Sequence, residues 1–231
     1  MTASADHPLD NVMWSALTTR QAPLARGRGL ARRFDPAYAR FAGLAEFSPA
    51  ALDALADLLE PGEDVSVFPP DGTLDPGPRF EVLYSRPLVQ MTGPGSLPEP
   101  AAPDRFEVLG PDDRPAMAAL VRATEPGPWA ERTPELGRFV GVKADGRLVA
   151  MAGERLHLDG WHEISGVCTD PAWRGLGLAR DAMLVVGRAM LARGERPFLH
   201  VFASNAPAIA LYERLGFVER ARRWATGLRL K

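Results

Sequence analysis

The sequence predicts an α/β chain of the α+β kind, and three features carry that reading. A short β-prone run, Ile164 to Thr169, is followed by Asp170-Pro171, a small-residue loop and a long apolar-periodic helix. Asp145-Gly146 and Asp159-Gly160 each separate apolar runs, which is a hairpin signal. Helix starts and stops (Ser48-Pro49, Gly194, Asn205, Gly216) alternate with strand patterns along the chain. The 231 residues are enough for one large or two modest domains. Apolar content of 46% and charged content of 24% are those of an ordinary soluble protein.

Composition also excludes partners. A net charge of −2 gives no electrostatic case for nucleic acid or an anionic membrane surface. Cys168 is the single cysteine, so there is no internal disulfide and a reducing compartment fits. No apolar run reaches the roughly 18 residues of a membrane span. Met1 to Leu9 is polar and acidic without a basic start, which argues against a secretion signal. The expected location is the cytoplasm.

In the first hundred residues Asn11 caps a helix through Trp14 and Leu17 to about Leu24, and Leu30 to Phe34 reads as a strand. Ser48-Pro49 starts a helix carrying Leu52, Leu55, Leu58 and Leu59, ended by Pro61-Gly62. Val65 to Phe68 is a strand, and a Pro/Gly-rich loop runs from Pro69 to Pro78. Phe80 to Leu83 and Leu88 to Met91 read as two strands around Pro87. Gly93 to Asp104 is the best linker, so residues 1–100 form an amino-terminal region and 105–231 a second domain.

Beyond the linker Phe106 to Leu109 is a strand, and Pro111-Asp112-Asp113 opens a helix presenting Met117, Leu120 and Val121. A short helix is expected within Pro128 to Leu136. Phe139 to Lys143, Leu148 to Leu158 and the run from Glu163 are three strands joined by Asp-Gly turns. The long helix covers about Gly175 to Arg193, Phe198 to Phe202 is a strand, and Asn205 caps a helix stopped at Gly216. Phe217 to Arg222 and Trp224 to Leu230 close the chain as two strands.

Chemistry concentrates in the loop before the long helix. Strand, turn and small-residue loop opening a helix present unpaired backbone N–H groups to an anion. Gly175, Gly177 and Ala179 keep bulk away from that backbone, and Arg174 adds a positive charge. Arg180 occupies the third small position of a dinucleotide fingerprint, and no lysine completes a Walker loop. Arg174, Gly177 and Ala179 satisfy [QR]-x-x-G-x-[GA] instead, and Asn205, Ala208, Tyr212, Gly216 and Phe217 form an N-x-x-A-x-x-x-Y-x-x-x-G-F block. Together the two motifs resemble those of the GNAT acyl-CoA-dependent N-acetyltransferase superfamily, over about 125 residues.

The resemblance implies that superfamily's fold, with a mixed, mostly antiparallel sheet. It also implies transfer of an acetyl group from acetyl-CoA, as co-substrate, to a primary amine of a small molecule or amino-acid-like acceptor. The backbone of Arg174, Gly175, Leu176, Gly177, Leu178 and Ala179 is expected to hold the pyrophosphate. Val167, Cys168 and Thr169 would bond the pantetheine and polarise the thioester, such donors being worth about 3 kcal/mol each. Asn205 and Ala208 would meet the pantetheine, though Asn205 is also a helix cap. Tyr212 is the expected general acid for the leaving thiolate and Glu163 the first choice of general base, with Glu154, His157 and His162 as alternatives. Trp129, Trp161 and Trp173 are candidates for a pocket wall. Cys168 has no nucleophile partners, His200 reads as structural, and four histidines with one cysteine make no metal-ligand pattern. No metal is expected, and a homodimer is compatible with the resemblance. A longer acyl-CoA, or a non-catalytic acyl-CoA-binding regulator, are the alternative functions.

The amino-terminal region carries a faint echo of this pattern. Its helix and strand ending Gly62-Glu-Asp-Val-Ser-Val-Phe68 parallel the helix and strand ending Gly194-Glu-Arg-Pro-Phe-Leu-His-Val-Phe202. A degenerate copy lacking the phosphate loop would bind no CoA and would shape the substrate cleft.

Overall fold

Local signals set most element ends in the computed structural model, which describes residues 7–231. Residues 1–6, part of the stretch read for a secretion signal, lie outside the described residues. The amino-terminal part comprises α1 (Val12–Thr18), strands β1 (Ala25–Arg26), β2 (Ala31–Phe34) and β3 (Ala42–Leu44), α2 (Pro49–Ala56), β4 (Asp64–Val67) and β5 (Phe80–Thr92). The rest comprises β6 (Glu107–Val108), α3 (Arg114–Thr124), β7 (Phe139–Ala144), β8 (Arg147–Leu158), β9 (Trp161–Thr169), α4 (Leu178–Ala192), β10 (Arg196–Phe202), α5 (Ala206–Arg214) and β11 (Val218–Leu230). Ser48 accepts from the Ala51 N–H with Pro49 in the first turn of α2, and Asn205 accepts from the Ala208 N–H at α5. Asp145 and Gly146 both take positive φ (50° and 73°), as a two-residue hairpin turn requires. Only a 3₁₀ turn, Thr133–Leu136, forms where a short helix was expected, because Pro128 and Pro134 break the stretch.

Eight strands make one sheet in the order β4-β11-β5-β10-β9-β8-β7-β6, and β1-β2-β3 form a small second one. Every pair in the large sheet is antiparallel except β9 with β10, so the sheet is mixed and mostly antiparallel as expected. Two readings need correction. Phe80 to Thr92 is one strand, because Pro87 lies just beyond the last pair with β10 (Phe202↔Leu88) and its missing N–H disrupts no ladder there. Val218 to Leu230 is also one strand; no turn former separates Arg222 from Trp224, and β5 pairs along its whole length. The place of a second closing strand, beside β10, is taken by β5 from the amino-terminal side of the expected boundary.

Each part repeats an order: helix, three strands, helix, a further strand, and finally a long strand. β9 runs parallel to β10 across α4, and Phe41, just before β3, makes a parallel bridge to Ser66 of β4 across α2. The long strands β5 and β11 are exchanged: β5 pairs with β10, β11 with β4, and the two pair with each other. Helices α4 and α5 pack on one face through Met183, Leu184, Val89, Met91, Leu199 and Val201. On the other face α1 covers Phe34, Phe41, Leu156 and Phe198, while α3 covers Phe139 and Met151. Each such side chain, fully buried, contributes about 1.5–3 kcal/mol of transfer free energy. No helix among the described residues is long and apolar enough to cross a membrane.

Candidate active site

The central opening comes from a failure of pairing. β9 and β10 are bonded only at Trp161↔Arg196, His162↔Pro197 and Glu163↔Phe198, then diverge. Ile164 to Thr169 on one side and Leu199 to Phe202 on the other therefore line a cavity of about 750 Å³. Gly166 takes φ +62°, and the β8–β9 register slips there, passing from Ser165↔Gly153 to Cys168↔Met151. That bulge leaves Gly166 and Val167 outside the β8 ladder and turns their backbone to the cavity.

The loop that follows is built by short-range chemistry. Asp170 accepts from the Ala172 N–H, a 3₁₀ turn runs Pro171–Trp173, and Arg174 Nε donates to the Thr169 carbonyl at 3.4 Å. Gly175 and Gly177 take φ of +79° and +76°, and a Cβ at either would project into open space above the loop. Gly177 is the N-cap of α4 and has no side chain to cap it, so the first-turn amides of Leu178, Ala179 and Arg180 face the cavity without a helical partner. Arg174, Gly175, Gly177, Leu178 and Ala179 line the cavity, while the Leu176 side chain is 61% exposed on the outer side. Thr169 Oγ1 is buried on this wall without a hydrogen-bond partner. An open cradle of amides beside an orphaned hydroxyl fits the diphosphate and pantetheine arm of coenzyme A.

Tyr212 of α5 lines the cavity with Asn205 and Ala208 and packs on Phe217 at 6.4 Å between ring centroids. Burial pushes its phenol up to about 12, so it stays protonated at neutral pH. The Asn205 side chain accepts from Ala208 N at 3.3 Å, which is the capping role. Cys168 is buried beside Phe139 and Met151 with its thiol pushed up to about 11 by burial, although Thr124 pulls it down, and it is not an activated nucleophile.

Glu163 does not suit the role of general base. Its side chain is fully buried, is not part of the cavity wall, and accepts from Arg155 Nε at 2.8 Å and Arg155 Nη2 at 3.0 Å. His200 Nδ1 lies 2.8 Å from its Oε1. Burial raises the carboxyl, but the Arg155 charge and the bonds from His200 and Arg155 outweigh it and hold the group at about 2. Such a carboxylate neither reaches an amine nor takes its proton. Of the alternatives, Glu154 accepts from Arg138 N and Arg193, and His157 and His162 stack at 4.2 Å against Glu195. The donor atoms of His157, His162 and Glu195 lie within 4.8 Å of one another, a grouping the sequence pattern did not show, but Arg193 Nη2 already bonds Glu195 at 2.9 Å. None of these four lines the cavity. Trp173 does, whereas Trp161 packs in the core and Trp129 packs edge-on against Phe139.

Sequence reasoning missed the remaining wall. Phe41, Ser66, Phe68 and Tyr84 reach it from the amino-terminal part, with Arg155 from β8. Glu125 is the one carboxylate among the lining residues, at the left-handed C-cap of α3 (φ +46°). The breaker-rich Glu125-Pro-Gly-Pro128 was the only local sign of that loop.

A splayed parallel strand pair fed by a glycine loop at a helix N-terminus is the arrangement that the resemblance implied. The family model described as FR47-like protein matches residues 139–225. A GNAT-family protein structure from Novosphingobium aromaticivorans superimposes with TM-score 0.91 at 45% identity, over 98% of this chain and 100% of that one. The [ribosomal protein bS18]-alanine N-acetyltransferase of Salmonella typhimurium is 34% identical over 120 residues, 49% of this chain and 80% of that protein. The mycothiol acetyltransferase of Thermomonospora curvata is 36% identical over 102 residues, 44% of this chain and only 33% of that longer protein. The chain belongs to the GNAT acetyltransferase family.

Proposed function

We propose that the protein is a cytoplasmic N-acetyltransferase that moves an acetyl group from acetyl-CoA to a primary amine, on a small molecule or amino-acid-like acceptor, by direct attack in a ternary complex. One observation carries this reading: a single cavity joins the free amides of the α4 N-terminus, the splayed edges of β9 and β10, and the Tyr212 phenol. The helix dipole and Arg174 favour the diphosphate. Amides along Val167 to Thr169 take the thioester oxygen as it gains charge.

The amine nitrogen attacks the carbonyl carbon, the C–S bond breaks, and the sulfur leaves as thiolate. Tyr212 donates to that sulfur. Full transfer from a phenol near 12 to a thiolate of ordinary basicity, about 8.5, is uphill by roughly 5 kcal/mol, so Tyr212 holds the leaving sulfur by hydrogen bonding, and the proton shed from the nascent amide nitrogen neutralises the thiolate. Glu125 takes the proton-accepting role expected of Glu163, because an amine must lose its proton before attack. The amino-terminal part is a degenerate copy of the same fold. Its repeated element order and exchanged long strands support this, and it has neither a phosphate loop between β3 and α2 nor a counterpart of α5. Its role is to complete the acceptor wall, so the pocket is closed within one chain.

An amine panel with acetyl-CoA, read by free thiol, tests the reaction, beside a thermal-shift titration with coenzyme A. Thiol release that depends on an amine is expected. A CoA-dependent shift without turnover on any amine would contradict the enzyme and leave an acyl-CoA-binding protein.

A further inference from the structure

We propose that the cavity wall contributed by the amino-terminal part and β8 is a carboxylate-binding subsite anchored by Arg155, so that the acceptor is an amine that also carries a carboxylate. This rests on the acyl-transfer reading above for its placement of the acceptor, and on separate observations for its chemistry.

Arg155 lines the cavity although its side chain is only 10% exposed. Its Nε and Nη2 are taken by Glu163, whereas Nη1 donates to no group among the described residues, on a side chain that lines the cavity. One nitrogen of a fixed fork therefore remains for a ligand. The rest of the fork is held in place. The Phe41 ring lies under the guanidinium, 5.1 Å from Cζ to centroid. Behind it, Gln90 Nε2 donates to the Leu9 carbonyl, and Gln90 Oε1 accepts from Arg220. Gln90 Nε2, 3.1 Å from His200 Nε2, is thus the donor to that nitrogen, which leaves His200 Nδ1–H to donate to Glu163. Both imidazole nitrogens are occupied. A buried ion pair contributes little to stability over an apolar replacement, so stability alone does not account for this one. Holding Nη1 in a set direction does, since an oriented donor loses little freedom when a ligand arrives.

A second donor lies on the same wall. Ser66 Oγ and Tyr84 OH are 2.8 Å apart, and Ser66 is joined to Phe41 by a backbone bridge. Two hydroxyls share one hydrogen between them and keep one to give away. The Arg155 nitrogen and this hydroxyl pair supply the donors a carboxylate needs, with Phe41 and Phe68 as an aromatic floor. Glu163 already neutralises part of the guanidinium charge, which suits a reversible substrate.

The test compares the common α-amino acids, each beside its primary amide, as acceptors for the full chain with acetyl-CoA. It also measures binding of the same pairs by calorimetry in the presence of CoA. The acid is expected to exceed its amide by about 10- to 100-fold in kcat/KM and in affinity. Arg155→Lys keeps a charge against Glu163 but lacks the third nitrogen, and should bring that ratio close to one while the CoA-induced thermal shift is retained. Should that variant fail to fold, Ser66→Ala with Tyr84→Phe must lower the ratio at least threefold. Acids and amides that bind alike in the wild type, or a ratio unchanged in the variants, would overturn the subsite. Acid-selective binding without thiol release would overturn the acyl-transfer reading and leave the subsite standing, so the two failures are distinct.

Discussion

Replacing Glu163 by glutamine separates a structural carboxylate from a chemical one. In the wild type its oxygens accept both Arg155 bonds and face His200 Nδ1. Glutamine keeps one acceptor but turns an amide donor toward another donor, and leaves Arg155 buried without its counter-charge. Breaking a buried pair in this way costs about 3–5 kcal/mol. The carboxyl gives an independent figure: moving it from 4.5 to about 2 corresponds to roughly 3 kcal/mol. For a chain of this length that lowers the melting temperature by about 6–20 °C. Because the folded group is depressed, its contribution is complete above the unfolded value and is lost as pH falls from about 4.5 through about 2. Urea unfolding of both proteins should therefore give a gap that is constant from pH 6 to 8 and falls to less than half at about pH 3. A gap below about 1 kcal/mol at pH 7, or one that persists undiminished to pH 3, would refute the buried-pair account. So would a stable Glu163→Gln protein that has lost only turnover, the behaviour of a general base.

Tyr212→Phe should lower thiol release by about 10²-fold or more and leave CoA affinity within about threefold, as stopped assays and calorimetry would show; parallel losses would remove its role at the sulfur. Gly177→Ala forces a non-glycine residue to φ +76° and places a methyl above the amide cradle. It should cost about 1–2 kcal/mol of stability and weaken CoA at least tenfold; unchanged affinity would mean the diphosphate lies elsewhere. With its thiol at about 11, Cys168 is about one part in a thousand thiolate at pH 8, so iodoacetamide should modify the folded protein far more slowly than the urea-unfolded chain.

What was legible was local. The Arg174 to Ala179 loop, the Asn205 cap and the Asp145-Gly146 turn each carry their geometry in a few adjacent residues, and each forms as read. The course of β5 was not legible, because its partners β10 and β11 lie more than a hundred residues away and Pro87 resembled a break. The fate of Glu163 failed for the same reason. The resemblance assigned its role from its place on the strand leading into the loop, but Arg155 and His200, which engage it, come from two other strands. Phe41, Ser66 and Tyr84 enter the cavity only because the amino-terminal part folds over that face, and no spacing rule in the carboxy-terminal motifs reports it.

The central claim is that the first-turn amides of α4 hold a diphosphate. Calorimetric titration of the full chain with coenzyme A and with pantetheine, which has the same thiol arm without the diphosphate, tests it most directly. Coenzyme A should bind at least 100-fold more tightly, with a melting temperature raised by about 5–10 °C at a hundredfold excess over Kd. Equal binding of the two ligands, or none by coenzyme A, would contradict the account.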